Sequence, residues 1–121
     1  MVWLLVLPVV ILFGVIGLVG LFQPEQIGGV SSVDVVGAEA RAEVRSAYGG
    51  RNWGLAVAAV LSANAASGYA LAMLGVIVAG AALGRLLSLS LDRVISWIPT
   101  WALFMIEAVA GGLLFGAAAV V

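Results

Sequence analysis

The sequence predicts an all-α integral membrane protein, and two observations lead to this class. The chain has 121 residues, of which 64% are hydrophobic and 9% are charged. A water-soluble domain of this length lacks the interior volume to bury that much apolar surface. The apolar residues also form runs that match the roughly 20 residues a helix needs to cross a bilayer. We therefore expect a single transmembrane domain over residues 1–121, with little mass outside the lipid.

Four apolar runs predict four transmembrane spans. The connections after the second and third runs are short, which makes consecutive helices antiparallel neighbours. The predicted fold is therefore a four-helix bundle with antiparallel up-down topology. The first run has no positive amino-terminal region and no A-x-A-like cleavage site, so it is interpreted as a retained span and not as a signal peptide. The predicted spans are about 2–22, 47–66, 70–91 and 100–121.

The loop at 23–46 is the one substantial connection in this prediction. Pro24 and the Gly28-Gly29 pair predict irregular backbone at its start. From Ala38 onward the residues AEARAEVRSAY favour a short interfacial helix that leads into the second span.

Small residues recur at helical spacing in three of the spans, which favours close helix packing. Such series do not distinguish contacts within one chain from contacts between copies. They are Gly14, Gly17 and Gly20 in the first span, Gly80, Gly84 and Ser88 in the third, and Gly111, Gly112 and Gly116 in the fourth.

The composition excludes several classes of function. The net charge is −1, there is no lysine or basic tail, and nucleic-acid binding therefore has no electrostatic basis. The chain has neither cysteine nor histidine, which removes disulfides, thiol chemistry and the usual ligands of zinc, iron–sulfur clusters and haem. It also removes the Ser–His and Cys–His nucleophiles. No metal, cofactor or catalytic residue is predicted, and the composition counts against an enzyme without excluding one.

Two ionisable residues lie deep inside apolar runs, Arg85 in the third span and Glu107 in the fourth. Arg85 lies eight residues before Arg93, and Glu107 lies nine residues after Ile98. At about 1.5 Å per residue, both lie roughly 12–14 Å below the same membrane surface. Because an unpaired charge at that depth is costly, we expect the two side chains to form an ion pair.

The ion pair has two interpretations. In one, it only fixes the register of two helices. In the other, it lines a pocket that holds a polar ligand group, or Glu107 exchanges a proton. A stripe of Arg41, Arg45, Tyr48 and Asn52 at the start of the second span leaves a similar choice between an interfacial anchor and a polar cavity lining.

Several motifs together resemble a known family. They are E-x-R-x-x-Y-G-G in EVRSAYGG, G-R-x-x-S-x-x-x-D in GRLLSLSLD, and the glutamate of IEAVAGG. The chain resembles the small bacterial membrane proteins of domain of unknown function 4345. This resemblance implies a four-helix membrane bundle and no particular activity. It also suggests one polar cluster, a candidate binding site made of Arg45, Tyr48, Arg85, Asp92 and Glu107.

The arginines predict the orientation of the chain in the cell membrane. Apart from Arg85 inside the third span, they lie in the loop after the first span, at the start of the second, or just after the third. The positive-inside rule then places both connections in the cytoplasm and both termini outside.

Three functions remain open at this stage. The first is a binding, accessory or scaffold protein of the lipid bilayer, with a homo-oligomer or a larger membrane protein as its partner. The second is a transporter or channel component, which would need an oligomer because four helices are few for an independent path. The third is an intramembrane enzyme acting on a lipid-like substrate, against which the lack of histidine and cysteine counts.

Overall fold

The structure is a computed structural model that describes residues 1–31, 34–92 and 101–121, and it confirms the all-α class. Helices follow one another with short breaks, and one of them contains a π-helical segment of six residues, hereafter the π segment. The elements are α1 (Val2–Phe22), α2 (Pro24–Ser31), α3 (Gly37–Val44), the π segment (Arg45–Gly50), α4 (Arg51–Asn64), α5 (Gly68–Leu91) and α6 (Ala102–Val120).

Three helices, α1, α5 and α6, are long and apolar enough to cross a membrane, with 21, 24 and 19 residues. Large apolar side chains such as Leu4, Ile11 and Phe22 are exposed along α1, which is typical of a surface that faces lipid. The predicted second span, 47–66, coincides with the end of the π segment and with α4, which has 14 residues. The fourth crossing therefore stays a prediction.

The loop predicted at 23–46 contains two short helices, so the expectation of irregular backbone at Pro24 was wrong. Pro24 is the first residue of α2, where its missing N–H costs nothing and its fixed φ suits the helix. It is also among the most deeply buried side chains. Helix α3 occupies the position predicted for the short helix before the second span. An exposed ion pair of 2.7 Å between Arg41 Nε and Glu25 Oε1 joins α3 to α2.

Helix α5 begins two residues earlier than predicted. Ser67 is its N-cap, with a side-chain oxygen that accepts a hydrogen bond of 3.2 Å from the Ala70 N–H. The preceding turn includes Ala66, whose φ of 49° is left-handed. The connection from α5 to α6, predicted as a short turn with Pro99 in the first turn of the fourth span, lies outside the described residues.

Helix α3, the π segment and α4 form one continuous helical path. The residues at both junctions, Val44, Arg45, Gly50 and Arg51, all have right-handed helical backbone. A π turn holds one more residue than an α turn, so it rotates everything after it relative to an unbroken α-helix. Side chains before and after the π segment therefore face directions that the α-helical spacing does not predict.

Glycines let α1 lie against the π segment and α4 with almost no space between the backbones. A Cβ at Gly17 would lie 2.6 Å from the Trp53 nitrogen, and a Cβ at Gly20 would lie 2.6 Å from the Gly49 nitrogen. Both distances are shorter than any side chain tolerates. The predicted series at Gly80 and Gly84 behaves differently, since a Cβ there would meet nothing within 4 Å among the described residues.

The core lies between α1, α4, α5 and α6. Its α4 members are alanines, which keep α4 close to its neighbours, and larger side chains from the other helices fill the centre. The buried cluster consists of Val6, Val9, Phe13, Ala56, Ala59, Ala63, Leu71, Val78, Ala110, Leu114 and Ala117.

We expect Gly20→Ala to destabilise the protein by about 1–3 kcal/mol, because its methyl group would overlap backbone atoms of the π segment. Gly54→Ala is the matched control, since Gly54 is a helical glycine on α4 with open space around it. That change should be neutral or slightly stabilising. The apparent melting temperature in detergent measures both effects. Equal melting temperatures for the two variants would contradict the close approach.

Candidate functional site

The predicted ion pair between Arg85 and Glu107 is present and joins α5 to α6. Arg85 Nε donates hydrogen bonds to both carboxylate oxygens of Glu107, at 3.0 and 2.9 Å. The side chains are 27% and 13% exposed, so both charged groups are largely withdrawn from the surface. Each charge stabilises the other in surroundings that otherwise offer few polar groups.

A cavity of about 500 Å³ lies beside this ion pair, between α1, α2, the π segment, α4, α5 and α6. Most of its walls are apolar, and its polar groups come from the π segment, the start of α4, and the ion pair. We call it the amphipathic cavity. Its lining residues are Phe13, Ile16, Ile27, Ala47, Tyr48, Arg51, Asn52, Leu55, Ile77, Val78, Ala81, Arg85, Leu103, Ile106 and Glu107.

The π segment and the first turn of α4 place Tyr48, Arg51 and Asn52 in the cavity wall. The Asn52 side chain donates a hydrogen bond of 2.8 Å from Nδ2 to the backbone carbonyl of Tyr48. This bond gives the Tyr48 carbonyl a partner at the π segment, where the regular α-helical hydrogen bonding is interrupted. Asn52 thus stabilises the turn that positions Tyr48 and also presents its own amide to the cavity.

The structure brings together three of the five residues proposed from sequence as one cluster. Tyr48, Arg85 and Glu107 all line the amphipathic cavity. Arg45 and Asp92 are exposed and do not line it. Arg45 Nε instead donates a hydrogen bond of 3.0 Å to the Leu21 carbonyl in the last turn of α1, where helix carbonyls lack internal partners.

The chain matches the family model described as "Domain of unknown function (DUF4345)" over residues 1–118. The chain belongs to this family. The match confirms the resemblance and covers the first span and the following connection as well as the motifs of the later spans. No curated protein and no solved structure matches the chain.

Because the DUF4345 description assigns no activity, the chemistry has to be inferred from the site. Arginine, tyrosine and asparagine can donate hydrogen bonds to oxygen atoms of a ligand, while the apolar walls accept hydrocarbon. The described part of the chain contains no group of acidic residues able to hold a metal ion. The arrangement is therefore suited to binding a molecule with one polar end.

Two polar lining residues, Arg51 and Asn52, were not in the five-residue cluster, although Asn52 belonged to the stripe for which a polar cavity lining was one interpretation. Arg51 comes three residues after Tyr48, so helical spacing from Tyr48 could have included it as well. Arg45 was included because it matches the arginine of the E-x-R-x-x-Y-G-G motif, and an unbroken α-helix would place it on the same stripe as Tyr48. The π segment changes this register, so Arg45 contacts α1 while Arg51 and Asn52 reach the cavity.

We expect Glu107→Gln to cost about 2–4 kcal/mol of stability, because it leaves the Arg85 charge without its counter-charge in apolar surroundings. The double variant Arg85→Met/Glu107→Gln should recover much of this loss, since no unpaired charge remains. Melting temperatures in detergent provide the comparison.

The exposed pair supplies the control for this experiment. Arg41→Gln removes one partner of the Arg41–Glu25 pair and should change stability by no more than about 1 kcal/mol. A double variant no more stable than Glu107→Gln alone would contradict the proposed cost of an unpaired charge.

Proposed function

We propose that the protein is an antiparallel four-helix membrane bundle that binds an amphipathic small molecule in the amphipathic cavity. The observation that carries this proposal is the cavity itself. Its volume of about 500 Å³ falls within the roughly 300–1,000 Å³ typical of small-molecule sites. Apolar walls with a few convergent polar groups are also the usual composition of such sites.

The order of contacts supports the antiparallel arrangement of α5 and α6. Gly68 at the start of α5 lies against Ala118 near the end of α6, and Gly75 lies against Phe115. Arg85, further along α5, pairs with Glu107, which lies early in α6. In these three contacts the residue number increases along α5 while the number of its partner decreases along α6. This order is expected of antiparallel neighbours.

The same reasoning supports a fourth crossing formed by the π segment and α4. Contacts with α1 pair Gly14 with Ala56, Gly17 with Trp53, and Gly20 with Gly49. The fourth crossing would then be antiparallel to α1 and of similar length, provided that the π segment lies within the membrane.

The proposed topology places both termini outside the cytoplasm, in accordance with the positive-inside rule. We expect alkaline phosphatase fused after Val121 to be active and a green fluorescent protein fused at the same position to be dark. Fusions within the connection at 34–36, between α2 and α3, should give the opposite pair of results. Fluorescence from the fusion after Val121 would overturn the orientation.

Binding is favoured over the alternatives because it needs only what the cavity supplies. A transporter or channel component would also need a continuous polar path through an oligomer. An intramembrane enzyme would need an activated nucleophile or another complete set of catalytic groups beside the ion pair. An accessory role remains compatible with binding, since a subunit of a larger assembly can hold a small molecule.

Native mass spectrometry of protein extracted gently from its own membrane tests the binding function. We expect the wild-type protein to retain a small molecule of defined mass. Ala81→Phe should abolish this adduct, because Ala81 lines the cavity and a phenyl ring there would fill part of it.

Leu83→Phe is the matched control, since Leu83 lies two residues away on α5, is exposed and does not line the cavity. It should leave the adduct intact. A bare protein, or an adduct that survives Ala81→Phe, would overturn the proposed binding site. Recovery with only a larger membrane protein would support an accessory role without a ligand.

A further inference from the structure

The Arg85 guanidinium uses only one of its three nitrogens in the ion pair. Nε alone donates to both oxygens of Glu107, at 3.0 and 2.9 Å. Arginine has five N–H groups, and four of them belong to Nη1 and Nη2. Neither Nη nitrogen donates a hydrogen bond to any residue that the structure describes. The end of the guanidinium thus keeps two parallel N–H groups, the geometry that binds two oxygens of one anion.

Arg51 adds a second guanidinium to the same cavity. Among the described residues it takes part in neither an ion pair nor a side-chain hydrogen bond. Among the described residues, the charged members of the lining are Arg51, Arg85 and Glu107, which together carry a net charge of +1. This excess positive charge favours the approach of an anion.

Neutral donors lie near this positive charge. Tyr48 and Asn52 line the cavity beside Arg51, and each carries a group able to donate to oxygen. Glu107 is the one carboxylate among the lining residues that the structure describes, and both of its oxygens already accept hydrogen bonds from Arg85. The polar end of the cavity therefore offers donors in excess of acceptors.

The apolar part of the cavity continues toward a second space. A groove of about 290 Å³ between α1 and α6 is almost entirely apolar, and Ile106 lines both spaces. The groove is bounded on the α1 side by Pro8, Val9 and Leu12. A flexible hydrocarbon chain could extend from the cavity past Ile106 into this groove, whereas a rigid polar molecule could not occupy it favourably.

We propose that the ligand is a single-chain amphiphile whose anionic oxygen head group, a carboxylate or a phosphate, lies between Arg51 and the Nη groups of Arg85. Its hydrocarbon chain lies along the apolar wall and past Ile106. This inference rests on the proposed binding function and names the ligand class for the same site.

The test uses three probes with the same 16-carbon chain: palmitate, hexadecyl phosphate and hexadecanol. Each is titrated against the whole protein in phosphatidylcholine nanodiscs, and occupancy is measured by native mass spectrometry. We expect one or both anions to bind at least about tenfold more tightly than hexadecanol, as a charge-assisted hydrogen bond predicts. The tighter of the two anions then identifies the head group as a carboxylate or a phosphate.

Arg51→Gln is the decisive variant, because removing an exposed arginine outside any described ion pair should leave the fold intact. It should weaken the affinity for the two anions about tenfold and leave the affinity for hexadecanol unchanged. Arg41→Gln makes the same change of charge on α3, outside the cavity, and should alter none of the three affinities.

The outcomes separate this inference from the binding function. If hexadecanol binds as tightly as the anions, or if Arg51→Gln weakens all three probes equally, the proposed head-group recognition is wrong while the cavity remains a binding site. If no probe binds and the wild-type protein carries no molecule from its own membrane, both the ligand class and the binding function are wrong.

Discussion

The ion pair between Arg85 and Glu107 is the interaction on which the rest of the site depends. Each side chain projects from a helix of otherwise apolar character, and neither charge would be tolerated there without the other. The pairing fixes how α5 lies against α6, because the two helices must bring these positions to the same depth. It also determines the polarity of the cavity. By engaging Nε alone, Glu107 neutralises one charge while the Nη donors of Arg85 stay available.

The second constraint is the contact of α1 with the π segment, where glycines allow the two backbones to touch. Gly20 and Gly49 are the closest point, and neither position has space for a Cβ. Arg45 strengthens the same contact through its hydrogen bond to the Leu21 carbonyl. With α1 held in this way, the wider π turn directs Arg51 and Asn52 into the wall of the cavity that the ion pair also lines. The contact with α1 and the polar lining of the cavity thus both depend on the six residues of the π segment.

Much of this arrangement could be predicted from sequence, and the two main errors have separate physical origins. Apolar runs gave α1, α5 and α6, and matching depths on consecutive helices predicted the Arg85–Glu107 contact. The spacing rule failed between Arg45 and Tyr48, because one additional residue in a π turn rotates later side chains by about 100°. Pro24 was taken as a sign of irregular backbone, although the first position of a helix suits proline equally well. The cavity itself could not be predicted, because its volume depends on how five separated segments pack.

Magic-angle-spinning NMR in lipid bilayers tests the central ion pair most directly. With ¹⁵N-labelled arginine and ¹³C-labelled glutamate, an Arg41→Gln background removes the one other arginine–glutamate pair that the described residues contain. We predict a through-space correlation between Arg85 Nε and the Glu107 carboxyl carbon that disappears in Glu107→Gln. Its absence from the Arg41→Gln protein, or its persistence after Glu107→Gln, would contradict the account, because the charge that shapes the cavity would then be paired elsewhere.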